Sequence, residues 1–272
     1  LLGELKTSCE LPTEDSEAEA YAARRDGILK EHITTGSMFL DKILDGGLPW
    51  GEVTLLYGEA ETGKTSLAIQ CAVNSARMGF KTLYVDCEGT FTPQRLSQIA
   101  SGDVEEVSSM IILMRPSTFQ EQTEIIDSLE RVINKRFGLI VFDTVTSLYR
   151  SELAEKDETF SLNRELNRQV AILTEIAKTT PLSVLLLSQV RSSMQESDFT
   201  PVATRILKFW SSSVIRLSRT DMRGVVRVSV EKISGAEAKA SFLLTIRNDG
   251  IRDYEPHGDV AESEERSSIP SV

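Results

Sequence analysis

The sequence predicts an α/β fold, a mostly parallel sheet flanked by helices on both faces with a C-terminal antiparallel extension. Short apolar runs at 52–57, 83–86, 111–114, 139–143 and 183–188 alternate with longer segments of helical spacing, notably 119–134 and 160–179. Strands apolar on both sides belong to a sheet covered on both sides, which is the parallel case. Beyond Trp210 the texture changes to alternating strands at 213–217, 225–231 and 240–246, joined by Met222-Arg223-Gly224 and Ser234-Gly235. Alternation punctuated by such turns signals antiparallel hairpins.

The elements follow in order. Residues 1–32 mix acids with small residues and Pro12, and are expected to form an acidic, partly mobile leader. Ile33-Thr34-Thr35-Gly36-Ser37 opens the folded core, expected to run from 33 to 254. Leu40, Ile43 and Leu44 then follow helical spacing and stop at Gly46-Gly47, a short helix with a glycine terminus. Pro49-Trp50-Gly51 turns the chain into the first core strand. Residues 255–272 are expected to be a disordered acidic tail.

Composition narrows the class of protein. The chain has 272 residues, 40% apolar and 26% charged, as expected of one globular core, and no apolar run nears the ~18 residues of a membrane span. No basic stretch followed by an apolar block marks a secretory signal, so the expected location is cytoplasmic. Cys9, Cys71 and Cys87 have no metal-ligand spacing and read as reduced thiols. The net charge is −11, of which residues 1–31 hold −4 and residues 253–272 hold −5, leaving −2 for the middle. A local basic surface on the core is therefore compatible with the acidic total.

Chemistry concentrates first at Gly58-Glu59-Ala60-Glu61-Thr62-Gly63-Lys64-Thr65, between an apolar strand and the helical run that starts at Ser66. This is a P-loop in its required setting: backbone N–H groups and a helix N-terminus cradle phosphate, and glycines permit close approach. Lys64 is expected on the β- and γ-phosphates of ATP, and the Thr65 hydroxyl on Mg²⁺. Leu139-Ile140-Val141-Phe142-Asp143 carries a carboxylate to the C-terminal edge of a buried strand, where parallel sheets bind ligands; Asp143 is the second expected Mg²⁺ residue. Between the two motifs, Glu88 follows the strand ending at Asp86 and is placed to orient a water against the γ-phosphate.

Asp86-Cys87-Glu88-Gly89-Thr90-Phe91-Thr92-Pro93-Gln94-Arg95-Leu96, the entry at 33–37 with Leu40-Asp41 and Gly46-Gly47, and Leu148-Tyr149-Arg150-Ser151-Glu152 together resemble the RecA/RadA recombinase family. Within it they are similar to the archaeal RadA and RadB branch. The likeness covers about residues 33–254. It implies a RecA-type P-loop ATPase core, with Glu88 as the catalytic carboxylate, Arg95 stacked on adenine, and a cis Asp143–Thr144 peptide. Gln189, closing Leu185-Leu186-Leu187-Ser188-Gln189, matches the family's γ-phosphate sensor, although Ser188 stands where asparagine is common. KaiC-like and DnaB-type cores share the P-loop but not the Glu-Gly-Thr-Phe-x-Pro-x-Arg string.

The family's two loops for single-stranded DNA correspond to 150–159 and 191–208, where Arg150, Arg191, Arg205 and Lys208 are the candidate contacts. Both loops also carry acids, among them Glu152, Glu155, Asp157, Glu158, Glu196 and Asp198, so binding is expected to be weak. No Phe precedes Phe39 to form a Phe-x-x-Ala assembly strand, and 231–236 lacks the proline that caps a neighbour's nucleotide. An oligomer remains open, but no long filament is expected. Two readings follow: a DNA-stimulated ATPase assisting homologous recombination and repair, or an ATP-switched mediator that acts on a RadA-type recombinase or another recombination protein.

Overall fold

The computed structural model describes residues 32–155, 159–190 and 202–255. The expected leader and tail lie outside these residues, but for His32 and Glu255. β1 (His32–Ile33) pairs antiparallel with β2 (Leu48–Pro49), and α1 (Met38–Ile43) lies between them in sequence. The α1 N-terminus is capped by Ser37, whose hydroxyl accepts from the Leu40 N–H. Its exit uses the expected glycines with one addition: Asp45 is already left-handed at φ 57°, Gly46 and Gly47 follow at φ 125° and 128°, and the Gly46 N–H returns to the Asp41 carbonyl.

The parallel strands are β3 (Val53–Gly58), β4 (Lys81–Asp86), β5 (Ile111–Met114), β6 (Phe137–Asp143) and β7 (Ser183–Gln189). Between and after them run α2 (Lys64–Arg77), α3 (Pro93–Ala100), α4 (Val104–Ser109), α5 (Phe119–Val132), α6 (Ser147–Glu155), α7 (Thr159–Thr179) and α8 (Val202–Trp210). β8 (Ser213–Arg219), β9 (Val225–Ile233), β10 (Ala236–Arg247) and β11 (Gly250–Asp253) complete a nine-stranded sheet of order β11-β10-β9-β8-β3-β7-β6-β4-β5.

Every residue of β3 and β6 is buried, which is why these runs lack a polar alternation. One face of the sheet packs on α1–α4 through Leu40, Leu67, Ala72, Leu96, Ile99 and Val107, and the other on α5–α8 through Ile126, Tyr149, Val170, Leu173 and Leu207. Truncating a fully buried leucine such as Leu173 should cost ~2–5 kcal/mol.

The expected parallel strands are all present, within a residue or two at each end. The C-terminal extension needs one refinement: β8 is still parallel to β3, and antiparallel pairing starts between β8 and β9. β11 was not read from the sequence, because its four residues include Arg252 and Asp253 and show no apolar run. Asp253 instead caps α1, accepting from the Met38 N–H at 2.8 Å and from the Ser37 hydroxyl. Cys71 and Cys87 are buried free thiols, as expected. No helix among the described residues is long and apolar enough to cross a membrane.

Candidate nucleotide site

The loop at 58–65 leaves β3 at the C-terminal edge of the sheet. Gly58 pairs with Gln189 on β7 and Leu217 on β8, and a Cβ at this position would stand 2.0 Å from the Leu217 carbonyl oxygen. Only glycine lets the backbone run this close to β8. Gly63, at φ 84°, makes the left-handed turn into α2 and gives that helix no side-chain cap. The first N–H groups of a 14-residue helix therefore face the loop's concavity, an arrangement suited to anions. Thr62 is fully buried, and its hydroxyl donates to the Glu59 carbonyl at 2.9 Å, stiffening the turn.

Lys64 is buried and donates to the same Glu59 carbonyl at 2.5 Å. Its pKa is lowered, first by burial, against the opposing pull of Asp143, Glu88 and Glu59. A cleft of about 400 Å³ opens here, lined by Ala60, Glu61, Gly63, Lys64, Thr65, Ser66, Glu88, Asp143 and Gln189 among others. Nine of the residues singled out in the sequence thus share one cavity. Gly58, Glu59 and Thr62 form the loop behind it.

Asp143 ends β6 and is 1% exposed. It accepts from the Tyr84 hydroxyl at 2.9 Å and lies within reach of the Thr90 hydroxyl at 3.5 Å. Its carboxyl is raised to about 6, chiefly by burial, with hydrogen bonds from Thr65 and Tyr84 pulling it down and the charges of Glu88 and Asp86 adding to the rise. The Asp143–Thr144 peptide is cis, as the resemblance implied. The Thr144 hydroxyl donates to Glu88 Oε1 at 2.8 Å, so the strand end that carries Asp143 also holds Glu88.

The two acids at the end of β4, Asp86 in its last position and Glu88 two residues on, have separate jobs. Asp86, also 1% exposed, accepts from the Thr90 and Phe91 N–H groups at 2.9 and 3.2 Å and from Arg115 Nε at 3.2 Å. It folds the 87–91 turn and keeps Glu88 facing the cleft. No contact with the site acids was read from the sequence for Tyr84, Thr90, Thr144 or Arg115. Their roles depend on contacts between strand ends that lie up to sixty residues apart, which no local pattern announces.

Arg95 sits in the first turn of α3, after the Thr92 cap and Pro93. Its guanidinium donates to Ser66 Oγ at 3.1 Å and to the carbonyls of Asn248 and Arg247 at 2.7 and 3.0 Å. The β10–β11 turn thereby fixes it beside the first turn of α2. On the far side of the loop Arg219, another residue not anticipated, donates to the Ala60 carbonyl at 3.0 Å and pairs with Glu61 at 3.4 Å.

The three candidate DNA cations among the described residues do not form one surface. Arg150 lies within α6, not in an open loop. It turns back toward the cleft, donating to the Gln189 carbonyl at 2.8 Å, with its other terminal nitrogen 3.8 Å from Glu88. Lys208 lies on α8 and donates to Glu231 at 2.6 Å and the Tyr57 hydroxyl at 2.9 Å, its ammonium standing 4.6 Å from the centre of the Tyr57 ring. Arg205 is exposed on α8, and Arg191 lies outside the described residues.

Strands in this order, converging on one glycine-rich loop, define a fold of the RecA type. Comparison with known proteins goes further: the Rad51 family matches residues 24–254, and this chain belongs to it. It is 38% identical, over 81% of its length and 98% of the relative's, to a protein of Thermococcus gammatolerans described as DNA repair and recombination protein RadB. A protein of the same description from Methanococcoides burtonii is 30% identical, with 82% of this chain and 99% of the relative covered. A crystal structure of the RadB recombinase matches with a TM-score of 0.72 at 34% identity, over 82% of this chain and 100% of that one. The expected likeness to the RadA and RadB branch is borne out.

Proposed function

We propose that this chain binds and hydrolyses ATP with Mg²⁺ and works in DNA repair and recombination as a RadB-like paralogue. The observation that carries the reading is the convergence of Lys64, Thr65, Asp143, Glu88 and Gln189 on one cleft at the head of α2. Thr65 and Asp143 offer hard oxygen donors beside a turn left open by Gly63, a donor set that suits Mg²⁺ completed by phosphate oxygens and water. When bound, the cation neutralises phosphate charge.

The protein's own groups do the rest. The loop N–H groups and Lys64 hold the β- and γ-phosphates, and the low-dielectric site raises the worth of each contact. Glu88, held by Thr144, orients the attacking water and accepts its proton as the water oxygen bonds to γ-phosphorus and the bond to the ADP oxygen breaks. Gln189 contacts the γ-phosphate from the neighbouring strand end, and Arg95 covers the adenine.

A second reading, an ATP-switched mediator with little direct DNA contact, is favoured by the inward engagement of Arg150 and Lys208. Arg205 and Arg191 remain for single-stranded DNA, which predicts weak binding. A turnover assay with and without single-stranded oligonucleotide tests both readings. DNA stimulation supports the ATPase that acts on DNA, and turnover indifferent to DNA supports the mediator. No turnover under either condition overturns the hydrolytic reading.

A further inference from the structure

We infer that Arg150 is a positioning residue of the ATPase site, tying the carboxylate of Glu88 to the end of β7 at Gln189. The inference rests on the hydrolytic reading for its kinetic consequences, but the bridge itself is a matter of geometry. α6 begins just after the strand that ends in Asp143, and the Arg150 N–H bonds to the Thr146 carbonyl, so Arg150 occupies the first turn of the helix. Tyr149, one residue earlier and about 100° around the helix, is buried against Phe119. That anchor fixes the rotation of α6 and sends residue 150 back over the cleft.

There the planar guanidinium spans two groups. One terminal nitrogen donates to the Gln189 carbonyl at 2.8 Å, and the other stands 3.8 Å from Glu88 Oε1. Arg150 also comes near enough to Lys64 to oppose its charge. A fork with donors in fixed directions can brace two partners at once, which a lysine ammonium on a flexible stem does less well. The result links the residue expected to act on water with the residue expected to feel the γ-phosphate. A change at β7 reaches Glu88 through one side chain, without passing through the loop at 58–65.

The test uses the full chain in two measurements. Hydrogen exchange without nucleotide follows the N–H groups of Thr90 and Phe91, bonded to Asp86, and of Val190, bonded to the Gly58 carbonyl. In Arg150→Ala both segments should exchange faster together, by about tenfold, as expected for loss of a charge-assisted hydrogen bond. Unchanged exchange at either segment overturns the bridge. In the second measurement Arg150→Ala should lower kcat roughly 10- to 100-fold while the Kd for a fluorescent ATP analogue stays within about threefold. In the Glu88→Gln background the same substitution should add little, because residues that act as a unit are not additive. Full multiplication of the two losses, or a loss confined to single-stranded DNA affinity, overturns the proposal. Should Arg150→Ala fail to fold, Arg150→Gln carries both measurements. If the unsubstituted chain shows no turnover, the hydrolytic reading fails and the exchange result alone decides the bridge.

Discussion

The floor of the cleft and its rim use the same kinds of side chain to different ends. On the floor, Lys64, Thr65, Glu88 and Asp143 sit at strand ends or in the first turn of α2, and their hydrogen bonds keep them aimed at one cavity. On the rim, Arg150 and Lys208 belong to helices whose rotation is set by packing, and both cations are taken up by groups of the same chain. A strand end points where the sheet points. A helix residue points where the helix is turned, so charge on the rim is a poor guide to what it will meet.

The largest effect should come from the floor. Lys64→Ala should lower affinity for a fluorescent ATP analogue by more than about 100-fold, since the phosphate charge loses its buried cation. Hydrolysis at the original rate would remove the basis for the comparison. Glu88→Gln should keep nucleotide affinity while turnover falls about 10²–10⁴-fold, as for loss of a general base. Loss of affinity with turnover per bound ATP preserved would make Glu88 a structural residue.

A stability prediction follows from Asp143. Its carboxyl is raised to about 6 in the fold from an unfolded value of 3.8, so between those values the folded chain binds more protons and stability falls as pH rises. Asp143→Asn should therefore stabilise the protein without nucleotide or metal by ~1–3 kcal/mol at pH 8. The gain should shrink as pH falls through 6 and vanish near 4. Thermal melts across that range decide it, and a gain independent of pH would refute the burial account.

The smallest effects should come from α8, away from the Glu88–Gln189 bridge. Lys208→Ala should cost at most ~1 kcal/mol of stability, because its pair with Glu231 is partly exposed and screened. Single-stranded DNA affinity should be unchanged, since that ammonium is already committed. With Arg205 and Arg191 as the remaining contacts, log K should fall against log salt with a slope of about −1.4, at −0.7 per phosphate neutralised. A slope nearer −3 would mean that Arg150 and Lys208 leave their partners to meet DNA.

Much of the molecule was legible in advance. The parallel strands announced themselves because a buried strand must be apolar on both faces, and the loop at 58–65 because phosphate binding demands glycine, lysine and a hydroxyl at fixed spacing. Glu88 and Asp143 could be named because Asp143 ends such a strand and Glu88 lies two residues beyond another. β11 escaped because it is held by pairing with Leu244–Arg247 and buries a single large apolar side chain, Ile251, while Asp253 caps α1 and the Ile251 N–H bonds to Gln70 on α2.

By itself, then, the amino-acid order determined the fold class, the glycine-rich loop and the acids around it, because these depend on local patterns with local causes. The tertiary structure alone decided that Asp86 builds the turn while Glu88 faces the cleft, that Tyr84 and Thr90 attend Asp143, and that Arg150 looks inward. Each of those outcomes depends on distances between segments remote in sequence, set by how strands register and how helices rotate against the sheet. A chain can specify such distances without displaying them in any window of its residues.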